Sequence, residues 1–482
     1  MSAAVSRLET PIVHYFKRGD HVELGAALVT ELGGHRNVVY DELHAWKYVA
    51  DSGRWSQIES SHQSRIVQSF AGYPLGESEK RLKLKASDIA GAIKLANDQV
   101  AKPGFFAAAA GVAFADCVVR ATATGIEVRP HDRENRVRAG YPFAFDRGAL
   151  PRRFLSFLHD LFRDDRDKAD KEHVLQEFGG ACILGIATRF QQSMIGVGEG
   201  DNGKSALASV FLESMPPGTT SAIAPQDWGQ EYRRAMLVGK HLNAVGELPE
   251  REILASEAFK AIVAGDPIVG RIIRESPLMF RPIAGHYFAA NNLPGTTDQS
   301  EGFWRRFVVV TFNRSFKGDP SRDPEIVQKV IAEKPAIVAW MLAGAERLIR
   351  ERKYTIPASH YAALAAWRKN ADQVALFVEE ETRALRPSEE GTLASTLYDT
   401  YRGWCERNGH RPVASNKLGM RMRDLNLESV HTRTGNRYPV VVLTSADRAE
   451  RDKQRAGVKD REGLVKDLRP GASRDSNGAP HG

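Results

Sequence analysis

The sequence predicts an α/β chain built round a mostly parallel central sheet, with a mixed α/β domain before it and a smaller helical and stranded domain after it. Three observations carry this. Between Ser193 and about Phe312, short apolar runs (Ser193 to Gly196, Leu242 to Val245, Tyr287 to Ala290, Phe307 to Phe312) alternate with helical stretches and loops, the pattern of strands buried under helices. The first run opens into a glycine-rich loop followed by a helix with apolar Leu207, Val210 and Phe211. On either side of this layer the periodicity changes, and with it the class of structure.

In chain order, Val38 to Trp46, then Tyr48-Val49 and Trp55, read as aromatic-rich β-hairpins, Ile66 to Leu95 has helical spacing, and Val118 to Val128 is strand-like. Phe154 to Phe162 is apolar at helical spacing and leads into a charged run, Arg163 to Glu172, read as a solvated face, before a second helix from Val174. Residues 323 to 370 are helical and rich in Ala, Leu and Arg, and 373 to 445 form a further unit of helices and a final strand pair. The domains expected are 1–148, a helical collar over 149–190, the sheet domain over 191–355, a helical and stranded unit over 356–445, and a charged, disordered tail over 446–482. That tail has almost no large apolar residues to bury.

Composition narrows the function classes. At 42% hydrophobic and 26% charged over 482 residues, the chain is an ordinary soluble one, neither fibrous nor disordered. Lys+Arg at 67 against Asp+Glu at 60 gives +7, which permits a nucleic-acid partner without requiring one. Cys117, Cys182 and Cys405 are too few and too scattered for a disulfide framework or a zinc knuckle. No run reaches the roughly 20 apolar residues of a membrane span, and Met1 to His14 lacks the apolar core of a signal peptide. The expected setting is the cytoplasm, with no membrane partner.

The strongest signal is Gly198-Glu199-Gly200-Asp201-Asn202-Gly203-Lys204-Ser205, which fits the phosphate-binding G-x-x-x-x-G-K-[ST] between a strand and a helix. Glycines let backbone N–H groups turn toward phosphate oxygens, and the following helix aims its positive end at them. Lys204 neutralises β/γ-phosphate charge and the Ser205 hydroxyl ligates Mg2+, so ATP with Mg2+ is the expected ligand. Leu242 to Glu247 is a short apolar strand ending in an acid, which makes Glu247 the candidate general base; a surface glutamate after a strand is the other reading. His286 to Pro294 is a strand ending in Asn291-Asn292, where an amide can orient the attacking water or simply start a turn. Gly302 to Phe307 places Arg305-Arg306 just ahead of a strand. Arg306 is read as an arginine finger reaching a neighbouring subunit's nucleotide, against the plain alternative of a surface pair.

Together these elements resemble the superfamily 3 helicases, ring-forming AAA+ motors of viruses, phages and plasmids, and within them the phage/plasmid and poxvirus-type primase-helicase group. The resemblance rests on Asn202 to Ser205, the lone Glu247, Lys260, Gly265-Asp266 and Arg271, Asn291 to Pro294 and Trp304 to Arg306, in order and rough spacing over about 190 to 315. More loosely, His35 to Trp55, Ala113 to Asp146 and Leu175 to Gly185 resemble the domain preceding the motor, and Leu397 to Leu443 the winged-helix module following it. The resemblance implies an AAA+ P-loop ATPase domain and a homo-hexameric ring that works on single-stranded and duplex DNA, served by a separate primase or host replication proteins. Three departures are visible. Gly246 stands where two-acid strand ends of this kind carry a second carboxylate; no fused primase is legible, since the only Asp-x-Asp, Asp165 and Asp167, lies in the charged run; and the Asn291-Asn292 doublet leaves the sensor open by one position, with the distance to Leu293-Pro294 favouring Asn291.

In the resembled motors a hairpin between the acid-bearing strand and the Asn-bearing strand grips single-stranded DNA. The matching stretch, Lys260 to Pro282, carries Lys260, Arg271, Arg274 and Arg281, with Phe280 among them: cations for phosphates and a ring for a base, or else surface charges and a core ring. In the last domain Lys417 and Arg421 lie on or ahead of a short helix and Arg433 and Arg437 flank a hairpin turn, a helix-and-wing set suited to duplex DNA, with a protein partner as the alternative. The leading function is an ATP-dependent DNA helicase in the replication of a phage, plasmid or integrated mobile element. The alternative is a non-motor, origin-binding initiator or scaffold whose assembly ATP controls. An AAA+ protein remodeller would need an aromatic substrate-gripping pore loop, and none is identified.

Overall fold

The computed structural model describes residues 14–107, 110–248, 256–272, 277–296, 298–320 and 322–448. The chain divides into two compact units, one ending at Trp367 and the other beginning at Arg368.

The first unit opens with α1 (His21–Glu31), the antiparallel ladder β1 (Val38–Asp41), β2 (His44–Val49) and β3 (Arg54–Ile58), then α2 (Ser60–Ser69) and α3 (Ala86–Gln99). A second antiparallel ladder follows: β4 (Gly111–Ala113), β5 (Val118–Ala121) and β6 (Ile126–Arg129). The aromatic hairpins are where the sequence places them. The helix expected from Ile66 to Leu95 is instead two helices, because Gly72, Pro74 and Gly76 between them break the helical path. The strand expected over Val118 to Val128 is a hairpin turned at 122–125.

Next come α4 (Arg152–Leu161) and α5 (Lys168–Ile183), then β7 (Ser193–Val197), α6 (Lys204–Ser214), β8 (Thr220–Ser221), α7 (Glu231–Ala235), β9 (Leu242–Val245), α8 (Ser256–Ala264), β10 (Ile268–Gly270), β11 (Leu278–Phe280), β12 (Gly285–Ala290), α9 (Glu301–Trp304), β13 (Phe307–Thr311), α10 (Ile326–Ile331), α11 (Lys334–Glu351) and α12 (Ala358–Ala371). The fold is mixed α/β around a five-stranded sheet in the order β13-β7-β12-β9-β8, with every pairing parallel. All six residues of β12 and four of five in β13 are buried, as strands covered on both faces must be. The order puts β12 between β7 and β9, so the loops after these three strands open at one edge, where ligands of parallel sheets bind.

Helix α5 is buried almost all round and packs against α11. A Cβ on Gly180 would lie 2.0 Å from the Met341 carbonyl oxygen, so the helices approach at backbone distance. The charged run, Arg163 to Glu172, which extends into the first turns of α5, is not merely a solvated face. Lys171 is fully buried and donates to Asp165 at 2.8 Å and to the Thr311 carbonyl at 2.7 Å, and Asp165 also accepts from Asn313 at 2.7 Å. Paired and hydrogen-bonded in this way, the charge is tolerated inside, and it pins α5 to the end of β13.

The second unit contains α13 (Gln373–Glu381), β14 (Thr382–Ala384), β15 (Thr392–Leu393), α14 (Ala394–Arg407), α15 (Ser415–Asp424), β16 (Val430–Thr432), β17 (Gly435–Tyr438) and β18 (Val440–Val442). Its own core gathers Phe377, Leu397, Tyr401, Trp404, Leu418 and Met422. The turn expected over 433–437 is shorter: 433–434 join β16 to β17, and Gly435 to Arg437 belong to β17 itself. Most of the charged tail expected over 446–482 lies outside the described residues, as does Arg274. Among the described residues no helix is long and apolar enough to cross a membrane.

Candidate nucleotide site

The loop from Gly198 to Gly203 joins β7 to α6 at the open edge of the sheet. Gly203 precedes the helix at φ +82, and a Cβ there would meet Leu161 Cδ2 at 2.3 Å. This position needs both left-handed backbone and the absence of a side chain. A Cβ on Gly198 would lie 2.3 Å from the Phe312 carbonyl oxygen, so the loop is wedged between α4 and the end of β13. Asn202 is buried and donates to that same Phe312 carbonyl at 3.4 Å.

Lys204, only 5% exposed, has its Nζ against Gly198 O at 2.6 Å, Glu199 O at 3.0 Å, Asn202 Oδ1 at 2.9 Å and Asn291 Oδ1 at 3.2 Å. Burial lowers its pKa from the ordinary lysine value, and the Glu247 charge opposes the shift. The Ser205 hydroxyl donates to the Gly246 carbonyl at 3.3 Å. Gly246 has open space where a Cβ would stand, so the single acid of this strand end is not forced by crowding. Glu247 and Asn291 are exposed and, with Lys204 and Ser205, line one cleft of about 570 Å³. Of the asparagine pair, Asn291 is the one that lines it. Among the described residues no group of three or more His, Cys, Asp or Glu is placed to hold a metal ion.

The opposite wall is one that motif reasoning missed. Phe157 and Leu161 of α4, with Phe316, Ile326 and Val327, form an apolar side, and Arg322 reaches across to Asp201 of the loop at 3.3 Å. The only trace of this wall in the sequence is the amphipathic spacing of Phe154 to Phe162, which reads equally well as plain core.

Arg306 does not line the cleft. It is 7% exposed, with Nε and Nη1 lacking hydrogen-bond partners. Burial, then the like charge of Arg305, lowers its pKa, and Asp266 opposes. Arg305 is exposed.

The residues expected to meet nucleic acid are dispersed. β10 and β11 pair antiparallel, Ile268 opposite Phe280, so a hairpin stands where the resemblance implies one, with exposed Arg271 just past β10. Lys260 lies on α8 and is held by Glu257 at 2.8 Å and Asp298 at 3.1 Å. Arg281 is exposed and donates to Gly265 O at 3.3 Å. Phe280, at 7% exposure, is core and no platform for a base, whereas Met279 beside it is 70% exposed. In the second unit Lys417 and Arg433 are exposed. Arg421 is taken up by Asp372, at 2.5 Å, and Asp424, and Arg437 by Glu390 and the Gly391 carbonyl.

Comparison with known proteins bears on both units. Residues 196–306 match a family of unknown function (DUF5906), and residues 369–444 match the family described as poxvirus D5 protein-like. "Putative helicase 022R" of frog virus 3 (isolate Goorha) is 25% identical over 235 residues, 44% of this chain and 24% of that protein. "Putative helicase L207/L206" of Acanthamoeba polyphaga mimivirus is 22% identical over 268 residues, 50% of this chain and 27% of that one. The chain thus spans about a quarter of the length of the curated relatives it matches. The apo NrS-1 C-terminal region (305-718) is 12% identical with a TM-score of 0.42, covering 88% of this chain and 100% of that one. The D5-like match over the second unit and the two viral relatives together support membership of a D5-type primase-helicase family.

Proposed function

We propose that the chain is an ATP-driven, ring-forming DNA helicase of superfamily 3, with an AAA+ ATPase layer and a winged-helix second unit, acting in the replication of a phage, plasmid or integrated element in the cytoplasm of its host. The observation that carries this is the meeting of Lys204, Ser205, Glu247 and Asn291 in one cleft at the ends of neighbouring parallel strands. The viral relatives named as helicases support it. Backbone N–H groups of the loop and the α6 N-terminus would hold phosphates, and Lys204 would exchange its carbonyl partners for phosphate oxygens. Ser205 would hold Mg2+, which supplies charge neutralisation on the phosphates. Glu247 would take the proton of the attacking water and Asn291 would orient that water. Positioning of this kind lowers the barrier without covalent chemistry.

The finger role is proposed for the Arg305-Arg306 pair. Arg306 holds the position the resemblance indicates, but its guanidinium is buried, and Arg305 is the arginine that a neighbouring subunit's site can reach. The single acid beside Gly246 favours a second reading, in which ATP controls the assembly of an initiator without driving it. DNA-stimulated ATP hydrolysis with strand displacement separates the two. Glu247→Gln should bind ATP as the parent does and lose turnover about 100-fold or more. Turnover at the parental rate would remove Glu247 as the base.

A further inference from the structure

The part of the first unit ahead of the sheet carries an arginine cluster that the nucleotide cleft does not use. Arg120 on β5 is half-buried; its backbone is held in the ladder between β4 and β6, but among the described residues its side chain makes no hydrogen bond or ion pair. In the β5–β6 ladder Arg120 stands opposite Glu127 and Val118 opposite Arg129, so Arg120 and Arg129 share one face. Burial, then the like charges of Arg129 and Arg136, lowers the Arg120 pKa, with Glu127 opposing. Glu127 is itself engaged by Arg129 at 2.8 Å, and Glu134 by Arg136 at 3.5 Å. Arg120 thus feels the charge of two further guanidinium groups, each of which already engages an acid. Like charges at close range repel, most strongly where water is partly excluded, so the arrangement favours an anion.

The same cluster is interleaved with aromatic rings. Arg136 lies over the Phe105 ring at 4.7 Å and Lys102 over it at 5.7 Å. Arg138, two residues along, lies over Trp46 at 5.1 Å and Phe106 at 4.7 Å. Phe105 and Trp46 are only partly buried. The Arg129 and Arg136 side chains are 46% and 40% exposed, enough to reach a ligand. Guanidinium planes held on rings form surfaces on which an unpaired base can stack. A duplex hides its base faces and offers phosphates and groove edges instead.

We propose that this face is a contact for single-stranded nucleic acid, with Arg120, Arg129 and Arg136 holding backbone phosphates and the Arg136–Phe105 pair offering a plane for a base. It is separate from the nucleotide cleft and independent of whether the chain is a motor, since it concerns binding without ATP.

The test is binding of a short fluorescein-labelled oligothymidylate to the full chain, without nucleotide, across a salt series. Arg120→Gln with Arg129→Gln should weaken binding about tenfold and flatten the slope of log affinity against log salt by about 1.4, at about 0.7 per phosphate contact on a single strand. Arg120→Lys with Arg129→Lys keeps the charges and should keep most of the slope. Circular dichroism and binding of a fluorescent ATP analogue report the fold. If the double variant does not fold, Arg129→Gln alone should flatten the slope by about 0.7. Unchanged affinity and slope in the folded glutamine variant would overturn the proposal. So would lysine variants that lose as much as glutamine ones, which marks a packing role, or a duplex of equal length that loses as much as the single strand.

Discussion

Lys204 is the residue on which the nucleotide site turns, because it touches both ends of the loop and Asn291 at once. Its partners are local acceptors beside an open cleft, so Lys204→Ala removes charge where phosphates would lie and little core packing. ATP turnover should fall about 100-fold or more, while stability by chemical denaturation should change by no more than about 1 kcal/mol. A variant that unfolds would instead make Lys204 a structural residue. At this scale the sequence is most legible where spacing is local. Gly198, Gly203, Lys204 and Ser205 fall within one short segment, and the motif alone puts them on one strand-to-helix loop. For the doublet Asn291-Asn292 the distance to Leu293-Pro294 already favoured Asn291, and Asn291 is the amide that lines the cleft, just past the end of β12. Phe280 and Arg306 show the opposite case. Their types fit contact with a base and with a phosphate, but burial is a property of what packs on them, and nothing within their own segments encodes it.

Among the elements, the α5–α11 contact positions the sheet from behind and gives a sharp steric test. A Cβ on Gly180 would meet a backbone carbonyl at 2.0 Å, whereas one on Gly179 would meet the Met341 side chain at 2.7 Å. Backbone cannot yield without moving a helix; a methionine side chain can turn away. Gly180→Ala should cost about 1–3 kcal/mol by overpacking, and Gly179→Ala distinctly less, both read from denaturant midpoints. Equal costs would show that the helices separate as easily as a side chain rotates. The apolar strand runs made the parallel layer readable in advance. Strand order was not readable, because β12 enters between β7 and β9 from far along the chain. The charged run, Arg163 to Glu172, misled for the same reason: the Thr311 carbonyl that receives Lys171 lies 140 residues away.

For the whole molecule, the question is whether one chain completes its own site. In the cleft, the lining cations beyond Lys204 are Arg153 and Arg322, and Arg322 is engaged with Asp201; the Arg305-Arg306 pair is absent from the lining. If the finger comes from a neighbour, Lys204→Ala and Arg305→Ala should each be nearly inactive alone. A mixture of the two should recover part of the ATPase activity, because some interfaces join an intact loop from one subunit to an intact arginine from the other. An arginine in this role is worth about 10³-fold or more in rate, so even sparse repaired interfaces stand above background. Recovery should rise with protein concentration, since only assembled rings hold such interfaces. Repeating the mixture with Arg306→Ala separates the pair. Recovery with Arg305→Ala and none with Arg306→Ala would make Arg305 the finger and Arg306 a buried support. The reverse would mean that Arg306 swings out of its pocket on assembly. Co-assembly and subunit exchange are measured first, by native mass. A co-assembled mixture that never exceeds the sum of its parts, with either arginine variant, would place the whole site within one chain and remove the ring from the proposed mechanism.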